Sequence, residues 1–146
     1  MKKFIILAIV IIIGCLDSFG QEGLNVAQFL DADYSGQKGV TQVSMTGKQL
    51  EWSGLKKYKS LSVTDNSSLA DKINRAVTKD GAKAASKKVS YKDGQLYVGF
   101  YSLGGKGEHR RYLFYLNRRP VGEEKITLIF LEGNMDSNSI MELINK

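Results

Sequence analysis

The sequence predicts an α+β fold: a single domain on a largely antiparallel sheet of five to six strands, with helices mainly on one face. Three observations carry this expectation. Residues 95–102, 109–117 and 125–133 (QLYVGFYS, HRRYLFYLN and KITLIFLEG) are strand-length runs rich in aromatic and β-branched residues, the first two alternating apolar positions at period 2. Glycines and turn residues separate them, with Asp93-Gly94 before the first run and Gly104, Gly105 and Gly107 after it. Two further stretches carry apolar stripes at helical spacing, Leu69/Ile73/Ala76/Val77 and Ile140/Met141/Leu143/Ile144.

Taken in order, the chain begins with Lys2 and Lys3 ahead of the apolar run at residues 4–13, too short to span a bilayer and shaped like a signal peptide. The protein is therefore expected to be exported, to the periplasm or cell envelope. Two processing sites compete. Ser18-Phe19-Gly20 suits an ordinary signal peptidase, giving a signal peptide at 1–20 and a mature domain at 21–146. Ile12-Ile13-Gly14-Cys15 resembles a lipobox, which would remove 1–14 and make Cys15 a lipid anchor. Cys15 is the only cysteine, so no intrachain disulfide can form.

Val26, Phe29 and Leu30 predict a short helix within 24–34, with Asn25 as its cap. Residues 40–45 alternate as a strand, and Leu50, Trp52, Leu55 and Tyr58 follow in a short helix or packed loop, with Trp52 a core anchor. Residues 61–64 form a second strand. The helix that follows has a capping-box spacing at Ser68 and Asp71 and a stop at Gly81. Residues 88–91 then lead into the Asp93-Gly94 hairpin, which pairs Tyr91 with Leu96. If the glycine loop is symmetric, Phe100 faces Tyr112, Val98 faces Phe114 and Leu96 faces Leu116, making one core face. The opposite face would carry Tyr97, Tyr101, Arg111 and Tyr115. Pro120 makes the next turn, 126–131 is apolar on both faces like a central strand, and Asp136 or Ser137 caps the last helix.

From residue 21 onward there are 19 Lys and Arg against 14 Asp and Glu, and residues 48–125 hold 17 basic and 8 acidic side chains, a net of +9. Such a basic middle attracts anionic lipid headgroups, anionic glycan or an acidic envelope protein; nucleic acid is not expected for an exported chain. A solvated, Lys-rich surface is the plainer reading of the same charges.

The residues resemble a family of small exported Bacteroidetes proteins of unknown function. The resemblance rests on Phe29 to Tyr34 before Gly39-Val40-Thr41-Gln42-Val43, on the Tyr97 to Tyr101 strand, and on residues 126–136 before a final helix. It implies an exported α+β domain, often a lipoprotein, and brings no site residues with it.

No catalytic, cofactor or metal motif stands out. His109 is the only histidine, at a hairpin edge, and the mature chain has no nucleophile–base pair or transition-metal ligand set of the usual kind. Glu123-Glu124 and Asp31/Asp33 sit where carboxylates are ordinarily solvated or capping. Gly104-Gly105-Lys106-Gly107 lacks the Ser/Thr and the strand-to-helix setting of a phosphate loop. Arg110 with Arg111, and Arg118 with Arg119, sit at opposite ends of one strand, as anion contacts or as charged gatekeepers of an apolar run.

The expectation is a non-enzymatic binding module of the cell envelope, without cofactor, that contacts its partner through Tyr97, Tyr101, Arg111 and Tyr115. The alternative is a weak binder of anionic glycan or lipid headgroups through the basic middle, with Arg110, Arg118 and Arg119 as contacts; a hydrolase ranks third. Membrane association is expected only through the Cys15 anchor.

Overall fold

The computed structural model describes residues 23–144; the signal segment, both processing sites and Cys15 lie outside the described residues. In chain order the elements are α1 (Ala27–Leu30), β1 (Val40–Thr46), β2 (Leu55–Thr64), α2 (Ser67–Ala82), β3 (Ser86–Lys92), β4 (Gln95–Gly104), β5 (Arg110–Asn117), β6 (Lys125–Gly133) and α3 (Ser137–Ile144). The strands form one open antiparallel sheet in the order β1-β2-β6-β5-β4-β3. Strands 3 to 6 are a meander that ends beside β2, while α2 carries the chain from β2 to the far edge.

The α+β expectation holds: α1 and α2 cover one face, and α3 lies on the other. The main core lies under α1 and α2, where Val26, Ile73 and Val77 meet Leu61, Leu113, Tyr115, Leu128 and Phe130. A smaller cluster under α3 joins Ile140 to Leu50, Leu55, Phe100, Tyr112 and Leu131. Because β6 is central, its alternate residues enter both clusters, as its two-sided apolar pattern predicts.

The assignment of faces reverses. Period-2 alternation sorts β4 and β5 correctly into two sets, but the set containing Tyr101, Leu113 and Tyr115 is the main core. Phe100 and Tyr112 are buried under α3, whereas Val98, Phe114 and Leu116 stay half-buried. The register also differs by two residues, with Val98 opposite Leu116 and Phe100 opposite Phe114. The connection is not symmetric: the β4–β5 ladder shifts between Ser102 and Gly104, and a 3-10 turn at Gly107–His109 precedes β5. Phe100 and Tyr112 still stack diagonally, with centroids 5.9 Å apart. Tyr91 does pair with Leu96, but the register shift beside them places Leu96 in the main core and away from Leu116.

Local signals explain the helices. Asn66 caps α2 by accepting from the Leu69 amide at 3.1 Å, in place of the Ser68/Asp71 box. Asp136 caps α3 by accepting from the Ser139 amide at 2.9 Å. Between β1 and β2 the chain makes a 3-10 turn, Gly47–Leu50, and Trp52 is 73% exposed. Its indole N–H donates to the Gln49 carbonyl at 3.0 Å, so the expected core anchor is a surface residue.

Helix α1 is too short to hold itself in place. Asp80, buried on α2, accepts from the Asn25 amide and side chain, both at 2.8 Å, and from the Val26 amide at 2.9 Å. This carboxylate caps α1 from a distance, and Asn25, the expected cap, is instead a donor to it.

Tyr101 fixes the separation of α2 from the sheet. Its ring lies between Gly81 of α2 and Gly99 of β4. A Cβ on Gly99 would stand 2.6 Å from the tyrosine hydroxyl oxygen, and one on Gly81 would overlap the ring. Gly81 is therefore a packing residue inside the helix and not its stop. Alanine at position 81 gains about 1 kcal/mol in helix propensity, while overpacking costs about 1–3 kcal/mol. Gly81→Ala is expected to lower unfolding stability in denaturant titration, and to become neutral or stabilising once Tyr101→Leu removes the ring.

Candidate functional site

The structure disperses the aromatic face expected to bind a partner. Tyr101 is 3% and Tyr115 0% exposed, both under α2. Arg111 is half-buried at the other end of β5, opposite Gly104 and Glu132. Tyr97 is half-buried beneath the Lys92 ammonium, 5.8 Å from its ring centroid. These four side chains form no common surface, and that site is withdrawn.

The expected anion contacts also separate. Arg118 pairs with Glu123 at 2.5 Å. Arg119 is held by Asp71 at 2.7 Å and by the Asn117 side-chain oxygen at 3.0 Å. Arg110 lies at the opposite end of the sheet, beside a hollow shared with Asp136 and Ser137. The close acidic pairs are engaged singly: Asp31 by Lys59, Asp33 by the Ser35 amide and hydroxyl, Glu123 by Arg118. The Ser35 hydrogen bonds hold the Asp33 carboxyl below its usual range.

One pairing has no sequence signal beyond strand register. The buried Glu132 accepts from His109 Nδ1 at 2.8 Å, while its other oxygen has no hydrogen-bond partner among the described residues. This orients an imidazole whose side chain is 69% exposed. No hydroxyl or thiol among the described residues hydrogen-bonds to His109, so the pair lacks a nucleophile to activate. Among the described residues no group of three or more His, Cys, Asp or Glu could hold a metal ion.

What the fold does assemble is a cationic ridge. Between residues 72 and 92 there are seven basic side chains, Lys72, Arg75, Lys79, Lys83, Lys87, Lys88 and Lys92, and one acid, Asp80. All seven cations are exposed, and Asp80 is turned inward to cap α1. Lys72, Arg75 and Lys79 follow one line along α2 at helical spacing. Lys87, Lys88 and Lys92 add three cations on the edge strand β3, every residue of which is exposed; Lys87 shares the α2 face with its partner Tyr101, and Lys88 the opposite face with Phe100. None of the seven forms an ion pair with another described residue, whereas Lys56, Lys59, Arg118 and Arg119 each face a carboxylate.

Beside the ridge, a groove of about 380 Å³ runs between α2 and the β3–β4 hairpin. Asp71, Asn74, Arg75 and Thr78 line the helix side, Tyr91, Gln95 and Leu96 the hairpin side, and Arg119 one end. The two-residue hairpin needs left-handed backbone at both central positions, met by Asp93 (φ 52°) and Gly94 (φ 76°). It presents Tyr91, 66% exposed, across from the helix. The Asn74 side-chain amide donates to the Tyr115 hydroxyl at 2.9 Å and ties the groove to the core. Of these residues the sequence singled out Arg119 alone as a candidate ligand contact, and Asp71, Tyr91 and Leu96 only for their structural roles.

Burial raises the Tyr115 phenol and pushes Tyr101 up to about 12, with neighbouring Tyr91 and Tyr115 adding to the latter. Phenols raised in the folded state favour unfolding once they ionise. Their contribution is complete below about pH 10 and is lost as pH climbs toward about 12. In an ultraviolet titration, Tyr101 and Tyr115 are expected to ionise only above the ordinary phenol range, together with loss of the fold; ionisation of both within that range in folded protein would contradict the burial.

No helix among the described residues is long and apolar enough to cross a membrane. No curated protein matches the chain, and no solved structure does. A family model, described as a family of unknown function (DUF6108), matches residues 13–144, nearly the whole chain. The chain belongs to the DUF6108 family.

Proposed function

We propose that this protein is an exported, non-enzymatic binding module of the cell envelope that holds an anionic glycan along α2 and β3. The observation that carries the reading is the ridge of seven exposed cations with no surface carboxylate among them. A surface selected only for solubility interleaves the two signs, as the remainder of this chain does with its Lys–Asp and Arg–Glu pairs. Here the one intervening acid is used inside the fold and the exposed acids Asp71 and Asp93 only border the run, so the surface is net positive and attracts a polyanion from a distance. The N-terminal lysines and short apolar run support export.

A glycan suits this surface better than a bilayer. The ridge turns from a helix onto an edge strand and borders a polar groove, a shape that follows a flexible chain. The most exposed aromatic among the described residues, Trp52, which would insert at a lipid interface, lies in the β1–β2 connection and not beside the ridge.

Retention on immobilised polygalacturonate is expected to fall steeply as salt rises. Replacing Lys72, Arg75 and Lys79 together by Ala should weaken binding on the order of tenfold at low salt, from roughly 0.2–1 kcal/mol per exposed charge contact. The Arg110→Ala, Arg118→Ala protein should bind as the unaltered one does. Salt-independent retention, or equal loss in both variants, would remove the ridge as the binding surface.

A further inference from the structure

Resting on the ridge reading and extending it, we infer that the groove between α2 and the β3–β4 hairpin is a subsite for a single acidic sugar ring of the bound polymer. A volume of about 380 Å³ lies within the range of small-molecule sites. Its lining matches each part of a uronic acid. Tyr91 offers an exposed aromatic face, above the apolar floor of Leu96, against which the C–H face of a sugar ring can lie. Asn74, Thr78 and Gln95 bring amide and hydroxyl groups for the ring hydroxyls. The Arg75 guanidinium, free of any described carboxylate, is shaped to take the ring carboxylate in a two-pronged contact.

The site is also held in place before a ligand arrives. Arg119 is clamped between Asp71 and the Asn117 side chain, which neutralises the one acid in the groove. The Tyr115 hydroxyl fixes the Asn74 amide and leaves its oxygen and second N–H to a ligand. Asn117 is itself anchored, its amide donating to the Leu96 carbonyl at 3.0 Å. Binding then has to order the exposed Arg75, Tyr91 and Gln95 side chains, while Asn74 and Arg119 are already fixed. Ridge and groove share Arg75, so a polymer lying on the ridge can lower one ring into the groove without leaving the cations.

The experiment compares two polyanions, trigalacturonate, which has rings, and polyglutamate, which has carboxylates only. Affinities for the full mature protein are measured at low salt, with amide NMR shifts to locate contact. Tyr91→Ala, at an exposed edge-strand position, is expected to weaken trigalacturonate roughly tenfold, to leave polyglutamate unchanged, and to abolish the trigalacturonate-induced shifts at Gly94, Gln95 and Leu96. Equal weakening of both ligands, or none for trigalacturonate, overturns the subsite and leaves the ridge. If polyglutamate fails to bind while trigalacturonate keeps its dependence on Tyr91, the subsite stands and the ridge falls. Absence of binding by either ligand overturns both.

Discussion

The seating of Tyr101 between Gly81 and Gly99 is the contact on which the arrangement of this protein depends. A helix cannot lie this close to a strand over a tyrosine ring unless both backbones lack a Cβ at the contact. The two glycines let the ring fill the space and set how deep α2 rests on the sheet. That depth fixes the line of Lys72, Arg75 and Lys79 and the width of the groove to the β3–β4 hairpin. The same contact buries Tyr115, whose hydroxyl then fixes Asn74 in the groove wall.

Charge is partitioned by the same geometry. Asp80 lies on the inner side of α2, where its carboxylate satisfies three donors of the α1 region. A buried carboxylate is retained only with such partners, and here they belong to a helix of four residues that has no other cap. Used inside, the acid is missing from the surface, where α2 keeps Lys72, Arg75 and Lys79 against one exposed carboxylate, Asp71, which is already paired with Arg119. Structural need and surface chemistry thus converge on one helix.

The fold was legible because its signals are local. Asp93-Gly94 specifies its hairpin, the Ile73, Ala76 and Val77 stripe its helix, and the unbroken apolar run of β6 a central strand. Which face of β4 and β5 lies under α2 was not legible, since alternation separates Tyr101 from Phe100 without saying which set the longer helix covers. The partner that decides it, Gly81, looks in sequence like a helix stop. The β4 register shifts, which move Leu96 and set the pairing of Phe100, arise from loop geometry that residue spacing does not encode. The ridge was visible only as an excess of charge, because its coherence depends on Asp80 pointing inward. The groove was not visible, since Asn74, Tyr91 and Arg119 come from three elements that meet only in the fold.

Hydrogen exchange with and without trigalacturonate at low salt tests the central claim most directly, because it reports where the molecule is covered without assuming the contacts. Added protection at amides of residues 74–79 in α2 and 90–96 in the hairpin, lost at high salt, is the result that the ridge and groove require. Protection confined to the half-open face of Val98, Phe114 and Leu116, or none anywhere, would contradict the account.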